Sequence, residues 1–187
     1  MSDWYTRLMD YFPEKEMKSK EHFDILLQEK KGTYQLEESR DHVLLYSENS
    51  NYVFIDYILV FGKRRGKGIG SIVLDQLKEK GKAIILEVEP VNLMDPDSEK
   101  RVRFYEKNDF TKMESIRYER IHAVTNELNK MDVFAWTPVP VSEEWVCDQM
   151  KDVYKQVHTY KYEEMYDCQP QPVSEVLRLG ELTYSRV

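Results

Sequence analysis

The feature that most constrains the fold is a segment, residues 52–61, whose side chains are apolar on both alternating faces except at Asp56. Such a segment is typical of a central strand that is covered on both sides of a sheet. Apolar residues then recur at helical spacing over 69–80, and residues 83–89 have the pattern of a second strand, which Pro90 ends. A strand, a helix and a strand in this order predict a right-handed parallel βαβ unit.

Patterns on either side of this unit complete an α/β fold. The spacing of apolar residues predicts two short helices joined near Pro13, and residues 34–47 predict antiparallel strands. Later elements are expected as a helix over about 98–107 and strands near 110–120 and 131–137. We therefore expect residues 1–137 to form one α/β domain, with a mixed, twisted sheet and helices on both of its faces.

Residues 138–187 form an addition to this domain. Ser142 can cap a helix, and apolar residues recur behind it at helical spacing, at Val146, Met150, Val153 and Val157. Such an apolar stripe needs a surface to pack on. We therefore expect a C-terminal helical extension over 138–187 that packs on the same domain.

Composition excludes several classes of protein. About a quarter of the 187 residues are Leu, Ile, Val or Phe, which is above the level at which chains stay disordered. Segment 52–61 is too short to cross a bilayer, and the first residues lack the pattern of a signal peptide, so we expect a cytoplasmic protein with no membrane partner. Cys147 and Cys168 are too few for a disulfide framework, and the four histidines are dispersed, which predicts free thiols and no metal site.

The charge of the chain is unevenly distributed. A net charge of -7, with a pI near 5.3, argues against a protein whose main task is to bind nucleic acid, and we expect no such partner. Segment 63–82 is the exception, because it carries seven Lys and Arg residues against two acidic ones. Such a segment marks either a local anion site or a solvated helix face. A nucleic-acid contact made by loop 63–67 is a third alternative.

Within the basic segment, Arg65-Gly66-Lys67-Gly68-Ile69-Gly70 lies between the central strand and the amphipathic helix. Glycines let the backbone approach a ligand closely, and the first N–H groups of a helix lack internal partners and carry its positive dipole end. The loop therefore predicts a cradle for an anion, although a tight basic turn without a ligand has the same residues. Its spacing matches neither the Walker A loop nor the Rossmann fingerprint, which disfavours nucleoside triphosphates and NAD.

Two motifs in this order resemble a known family. The glycine loop fits R-x-x-G-x-G, and Arg103-Phe104-Tyr105-Glu106-Lys107-Asn108-Asp109-Phe110 follows it. With the preceding strand end, Ile58-Leu59-Val60, they resemble the GNAT superfamily of acyl-CoA-dependent N-acetyltransferases over about residues 43–112. The resemblance implies a GNAT-like α/β fold and direct transfer of an acetyl group from acetyl-CoA to a primary amine in a ternary complex. We expect acetyl-CoA as the cosubstrate, no metal, an acceptor that the sequence does not specify, and a monomer or homodimer.

The resemblance also implies roles for individual residues. Tyr105 matches the family tyrosine that protonates the departing thiolate, a task for which a phenol is a competent acid. The alternative for Tyr105 is a core aromatic at a helix end. The coenzyme-binding residues that the resemblance implies are Ile58, Leu59 and Val60 beside the pantetheine arm, and Arg65, Gly66, Lys67, Gly68, Ile69, Gly70 and Ser71 around the pyrophosphate.

A base has to take a proton from the acceptor ammonium, and Asp56 is the leading candidate. We expect it to share a strand face with Phe54 and Ile58, where apolar surroundings raise the pKa of a carboxyl group. The alternative is that Asp56 pairs with a buried cation for structural reasons. Glu87 and Glu89 are expected on one face of the next parallel strand, and either can replace Asp56 as the base or hold a cationic substrate.

The sequence departs from the family pattern at two positions. Asp109 stands where the family motif has glycine, and Ser98 stands where an asparagine is common, seven residues before Tyr105. Aspartate tolerates positive φ, so we expect only a slight shift of geometry at Asp109. Ser98 removes one expected coenzyme contact. These departures leave open a non-catalytic module that binds or senses acyl-CoA without turnover.

Overall fold

The computed structural model describes residues 4–61 and 66–180, which form a mixed α/β fold. The first elements are helix α1 (Trp4–Met9), a 3₁₀ turn (Glu14–Glu16), helix α2 (Lys20–Glu29) and strands β1 (Tyr34–Glu38), β2 (His42–Glu48) and β3 (Tyr52–Val60). Ser19 caps α2 by accepting a hydrogen bond from the backbone N–H of His22. The two short helices expected around Pro13 are confirmed, with a 3₁₀ turn between them.

The predicted βαβ unit is confirmed. Strand β3 is followed by helix α3 (Ile69–Lys78) and strand β4 (Ala83–Val88), and the two strands run parallel. Their pairing extends from Tyr52 opposite Ala83 to Ile55 opposite Leu86. Beyond that point β3 stays paired with β2, and β4 with a later strand, β7 (Leu128–Trp136). The two parallel strands therefore part within the sheet and leave a gap.

The second half of the chain extends the sheet beyond β4. It contains helix α4 (Pro96–Lys107), strands β5 (Thr111–Lys112), β6 (Ile116–Ile121) and β7, helix α5 (Glu143–Val153), a π-helical turn (Tyr154–His158), helices α6 (Tyr162–Tyr166) and α7 (Val173–Val176), and strand β8 (Leu177–Leu179). The strands are ordered β1-β2-β3-β4-β7-β6-β8, and β5 pairs with β7. Every pair except β3 with β4 is antiparallel, so the sheet is mixed, as predicted.

The C-terminal extension contributes a strand as well as helices. Ser142 caps α5, as expected, by accepting from the backbone N–H of Trp145. The apolar stripe of α5, which includes Met150, is buried against the sheet. Strand β8 then pairs with β6 at the edge of the sheet. The sequence pattern did not predict β8, because a three-residue strand is too short to show a periodicity.

Apolar side chains cover both faces of the sheet. One cluster packs α1, α2 and α5 on one face, through residues such as Leu8, Phe23 and Met150. The other cluster packs α3 and α4 on the opposite face, through residues such as Leu74 and Tyr105. The fold class predicted from the sequence, a mixed sheet with helices on both faces, is therefore confirmed.

Strand β3 contains a β-bulge at Asp56. The register with β2 skips one residue between Ile55 and Tyr57, so Asp56 is the extra residue of the bulge. A bulge changes the alternation of side chains along the strand. Phe54 packs in the cluster with α1, α2 and α5, whereas Ile58 packs against the cluster with α3 and α4. The expectation that Asp56 shares one face with both Phe54 and Ile58 is therefore wrong.

Candidate active site

A cavity of about 780 Å³ lies where β3 and β4 part. Its walls come from the segment after α1, the second half of β3, the start of α3, the end of β4 and one side of α4. Cavities of this size with apolar walls and a few polar groups are typical ligand sites. The residues singled out from the sequence that line it are Asp56, Ile58, Leu59, Val60, Gly66, Gly68, Ile69, Gly70, Ser71, Glu87, Glu89 and Tyr105.

The glycine loop turns into α3 through residues with positive φ. Gly66 has a φ of 75°, and Gly68, the N-cap of α3, has a φ of 79°, a conformation that other side chains resist. Gly70 is required for a different reason, because a Cβ atom there would lie 2.8 Å from the ring of Phe104. The turn therefore presents the N-terminal end of α3 to the cavity, where unsatisfied N–H groups and the helix dipole favour an anion.

The cavity continues from this loop along β3. Residues 58–60 line it, and within the described part of the chain the pairing of β4 with β3 ends at Leu86. An extended ligand that carries amide groups can lie in such a gap as an added strand does. Lys67 is exposed in the loop, and Arg65 lies outside the described residues.

Tyr105 of α4 lines the same cavity and is 9% exposed. Its ring packs against those of Phe110 and Phe134. Burial raises the pKa of the Tyr105 phenol well above its ordinary value, so the hydroxyl keeps its proton at neutral pH. A protonated phenol at this place can give a proton to a ligand atom on which negative charge develops.

The two departures from the family pattern have separate structural consequences. Asp109, two residues beyond α4, has a φ of 64°, so an aspartate occupies the left-handed conformation there. Ser98 is fully buried, and its hydroxyl donates to the backbone oxygen of Asp95 at 2.6 Å and accepts from the N–H of Asn92 at 2.9 Å. Ser98 therefore fastens the loop before α4 to the first turn of that helix.

Asp56 lines the cavity from the bulge, but both of its oxygens have partners. Nζ of Lys18 lies 2.6 Å from Oδ1 and 2.9 Å from Oδ2, and the hydroxyl of Tyr34 donates to Oδ2 at 2.5 Å. The side chains of Lys18 and Asp56 are 4% and 3% exposed, and burial lowers the pKa of Lys18 although the carboxylate opposes this. Asp56 thus forms a buried pair with a cation, which is the structural alternative to a catalytic base.

Glu87 lies at the end of β4 and pairs with the C-terminal extension. Its Oε1 accepts a hydrogen bond from Nε2 of His158 at 2.6 Å. Burial alone raises the pKa of Glu87, but His158, Arg120 and Lys18 outweigh this and hold the pKa below its ordinary value. Glu87 is therefore ionised at neutral pH.

Glu89 pairs with α4 rather than with the extension. Nη2 of Arg101 donates to Oε2 of Glu89 at 2.7 Å and to Oδ2 of Asp95 at 2.9 Å. Arg101 lines the cavity and was missed by the sequence analysis. It stands four residues before Tyr105, and this helical spacing was the signal that places both side chains on one side of α4.

Glu16, in the 3₁₀ turn between α1 and α2, also lines the cavity and was not predicted. Its Oε1 atom is buried and has no hydrogen-bond partner among the described residues. Burial, and then the negative charge of Glu89, raise the pKa of Glu16 from 4.5 to about 7. No sequence signal marks this residue, because Glu14 and Glu21 nearby have the same side chain in equally polar surroundings.

Two further features concern the residues that the structure describes. Among them, no group of three or more His, Cys, Asp or Glu side chains is placed to hold a metal ion, and no helix is both long and apolar enough to cross a membrane. Cys147 is buried and Cys168 is exposed, and both are free thiols, as predicted.

The chain is similar to known proteins in sequence and in fold. The model of the Acetyltransferase (GNAT) family matches residues 1–110. The "Putative acetyltransferase YjbC" of Bacillus subtilis (strain 168) is 42% identical over 177 residues, which are 95% of this chain and 92% of that protein. A solved structure, "Putative acetyltransferase from GNAT family" of Bacteroides thetaiotaomicron, has a TM-score of 0.66 at 18% identity, over 87% of this chain and 89% of that one. This last likeness is one of fold.

Proposed function

The chain belongs to the GNAT acetyltransferase family, and on that premise we propose that it transfers an acetyl group from acetyl-CoA to a primary amine by direct attack in a ternary complex. The observation that carries the proposal is the cavity between β3 and β4, because it joins the N-terminus of α3, the phenol of Tyr105 and a set of carboxyl groups. These three parts are suited to a diphosphate, a departing thiolate and an ammonium ion, respectively.

Acetyl-CoA supplies the activated acetyl group, and the chain supplies the groups that hold it. Open space at the loop supports this assignment, since a Cβ built on Gly66 or Gly68 meets no atom within 4 Å among the described residues beyond its chain neighbours. The residues that we assign to the pyrophosphate are Arg65, Gly66, Lys67, Gly68, Ile69, Gly70 and Ser71. Residues 58–60 of β3 are assigned to the amide groups of the pantetheine arm.

Tyr105 is proposed as the acid of the reaction. The amine nitrogen forms a bond to the acetyl carbon while the carbon–sulfur bond breaks, and the Tyr105 hydroxyl gives its proton to the departing sulfur. Burial raises the pKa of this phenol, so it holds its proton until negative charge develops on the sulfur. A positioned acid of this kind contributes roughly 10²–10⁴-fold to the rate.

The base candidates drawn from the sequence were Asp56, Glu87 and Glu89. Each accepts a hydrogen bond from a cationic or imidazole side chain of the fold. A carboxylate that is held in such a pair is less available to a substrate. We therefore propose that these three groups chiefly hold the acceptor side of the cavity together through their pairs and do not act as the base.

Calorimetry and a panel of amines test this function. We expect acetyl-CoA to bind, and CoA thiol to be released with at least one of spermidine, lysine, phenethylamine and a peptide with a free amino terminus. Mass spectrometry identifies the acetylated product. Binding without acetylation of any amine would instead indicate an acyl-CoA-binding module, and an absence of binding to well-folded protein contradicts both functions.

A substitution of Tyr105 tests its role as the acid. Tyr105→Phe is expected to lower kcat by roughly 10²–10⁴-fold and to leave the Kd for acetyl-CoA nearly unchanged, because the ring that packs in the core is retained. Tyr162→Phe, which removes a hydroxyl outside the cavity, is the matched control. An unchanged kcat in Tyr105→Phe would show that another group protonates the sulfur.

A further inference from the structure

We propose that Glu16 is the general base that takes the proton from the acceptor ammonium. This inference rests on the proposed transfer to an amine, and it assigns one step of that reaction to a residue outside the motifs. Asp56, Glu87 and Glu89 then hold the walls of the cavity through their pairs, while Glu16 accepts the proton.

The backbone holds Glu16 in a fixed place at the cavity. The hydroxyl of Tyr57, directly after the bulge of β3, donates to the backbone oxygen of Glu16 at 2.5 Å. The backbone N–H of Glu16 donates to the oxygen of Pro13 at 2.9 Å, which closes the 3₁₀ turn. The side chain that extends from this turn lines the same cavity as Tyr105. A base and an acid therefore face one space from different elements.

The carboxyl group of Glu16 differs from the other described carboxyl groups that were considered as bases. Its Oε1 is buried without a hydrogen-bond partner among the described residues, whereas Asp56, Glu87 and Glu89 each accept from a side chain of the fold. An unsatisfied buried oxygen is costly for a folded protein. Glu16 lines the cavity, so an ammonium ion that enters it can donate to this carboxyl group, which makes Glu16 both a contact for the acceptor and a place for its proton.

Burial, with a smaller contribution from nearby charges, raises the pKa of Glu16 toward neutrality. Burial, and then Glu89, raise its pKa to about 7, while the positive charges of Arg101, Lys15 and Arg120 act in the opposite direction. General bases work best with a pKa near the operating pH, because the ionised form is then populated and still binds a proton well. The geometry and the raised pKa therefore point to the same group.

The proton balance of the reaction closes with this assignment. One N–H proton of the ammonium moves to Glu16, the neutral nitrogen attacks the acetyl carbon, and the sulfur takes the Tyr105 proton. The nitrogen gives up a second proton as the amide forms, which restores the phenol through solvent in the cavity. Glu16 then releases its proton to water. The overall change is one acetylated amine, one CoA thiol and one proton from an ammonium ion and acetyl-CoA.

The decisive experiment compares Glu16→Gln with Glu14→Gln, a matched loss of an exposed carboxyl in the same 3₁₀ turn. For the best acceptor of the panel, we expect kcat/KM of the unaltered protein and of Glu14→Gln to rise with pH through an acidic limb near pH 7. In Glu16→Gln this limb should disappear, and kcat/KM should fall roughly 10²-fold or more. Glu16→Asp, which keeps a shorter carboxyl, should restore part of the rate.

An amine that is already neutral at pH 7 distinguishes a base from a binding contact. Hydroxylamine needs no proton removed before it attacks, so Glu16→Gln should lose much less of its turnover with hydroxylamine than with an ammonium acceptor. A carbon-13 NMR titration of labelled glutamate carboxyls gives a readout that needs no acceptor. The resonance missing from Glu16→Gln should titrate near pH 7 in the unaltered protein.

The outcomes separate this inference from the proposed function. If the unaltered protein acetylates an amine and Glu16→Gln keeps the same pH profile and rate, the assignment of Glu16 is wrong and the transfer stands. A Glu16 resonance that titrates near 4.5 also overturns the assignment. If acetyl-CoA binds and the unaltered protein acetylates no amine, the proposed function falls and this inference falls with it.

Discussion

Three of the carboxyl groups that line the cavity lie in two regions whose electrostatics differ. In the first region, which we call the buried layer, Asp56 pairs with Lys18 and Glu87 pairs with His158. In the second region, the 3₁₀ turn, Glu16 has one buried oxygen without a hydrogen bond among the described residues. The buried layer has its partners inside the fold and stabilises it. The 3₁₀ turn has a carboxyl group that lines the cavity and keeps one oxygen without a partner among the described residues, which is a property expected of a residue that handles a substrate.

The largest expected effect is a loss of stability when a substitution breaks an ion pair of the buried layer. Lys18→Met leaves the Asp56 carboxylate buried without its cation, and removing one partner of a buried pair costs about 3–5 kcal/mol in the free energy of unfolding. Urea unfolding at pH 7 measures this loss. A second substitution, Asp56→Asn, in the Lys18→Met background should recover part of it, because the uncompensated charge is then absent.

The control for this loss is an exposed ion pair on α2. Lys20 pairs with Asp24, and their side chains are 40% and 43% exposed. Lys20→Met should therefore lower the free energy of unfolding by less than about 1 kcal/mol. If Lys18→Met and Lys20→Met lose similar amounts, the buried layer does not stabilise the fold in the way its geometry indicates.

The second prediction sharpens the comparison through the sign of a pH dependence. The pKa of Glu16 is raised in the folded protein, from 4.5 to about 7, so its contribution to stability is present at low pH and is lost as the pH rises between these values. The pKa of Glu87 is lowered, so its contribution is present above 4.5 and is lost as the pH falls further.

Urea unfolding as a function of pH reveals these opposite signs. The free energy of unfolding of Glu16→Gln, relative to that of the unaltered protein, should rise by about 2 kcal/mol between pH 4.5 and 7. This value includes a discount for the partly exposed side chain. Glu87→Gln should be less stable than the unaltered protein at neutral pH, and the difference should shrink as the pH falls below 4.5. If the stability of both variants, relative to the unaltered protein, changed with pH in the same direction, the two regions would not differ as described.

The third prediction concerns the coenzyme side of the cavity. Gly68 and Gly81 lie at opposite ends of α3, both have positive φ, and a Cβ on either meets no atom of the described residues within 4 Å. Gly68→Ala and Gly81→Ala should each lower the free energy of unfolding by about 1–2 kcal/mol, because both force a side chain into the left-handed conformation. Differential scanning or urea unfolding measures this common cost.

Only one of these two variants should weaken the binding of acetyl-CoA. Relief of the strain at Gly68 moves the N–H groups at the start of α3, so Gly68→Ala should raise the Kd about tenfold, equivalent to about 1.4 kcal/mol. Gly81→Ala should leave the Kd unchanged, because Gly81 lies outside the cavity. Equal affinities in both variants would mean that the glycine turn does not hold the coenzyme.

The glycine-turn side of the cavity could be predicted from the sequence, and the partners of its acidic residues could not. The βαβ unit, the glycine turn and Tyr105 are encoded in local spacing, which a single chain displays directly. The partners of the acidic residues are far away along the chain, as for Lys18 with Asp56 and His158 with Glu87. One extra residue in β3 also moved Ile58 to the face opposite Phe54, and periodicity does not reveal a bulge.

The smallest expected effect tests the link between Glu89 and the 3₁₀ turn. Glu89 is the second cause of the raised pKa of Glu16, after burial, so Glu89→Gln should lower that pKa only part of the way toward 4.5. The same substitution removes one of the two carboxylate partners of Arg101 described above, which acts in the same direction. Carbon-13 titration of Glu16 in the variant measures the shift, with Glu99→Gln on α4 as the control. A Glu16 titration that does not move would mean that burial alone sets its pKa, and that Glu89 serves to hold Arg101 rather than to tune the base.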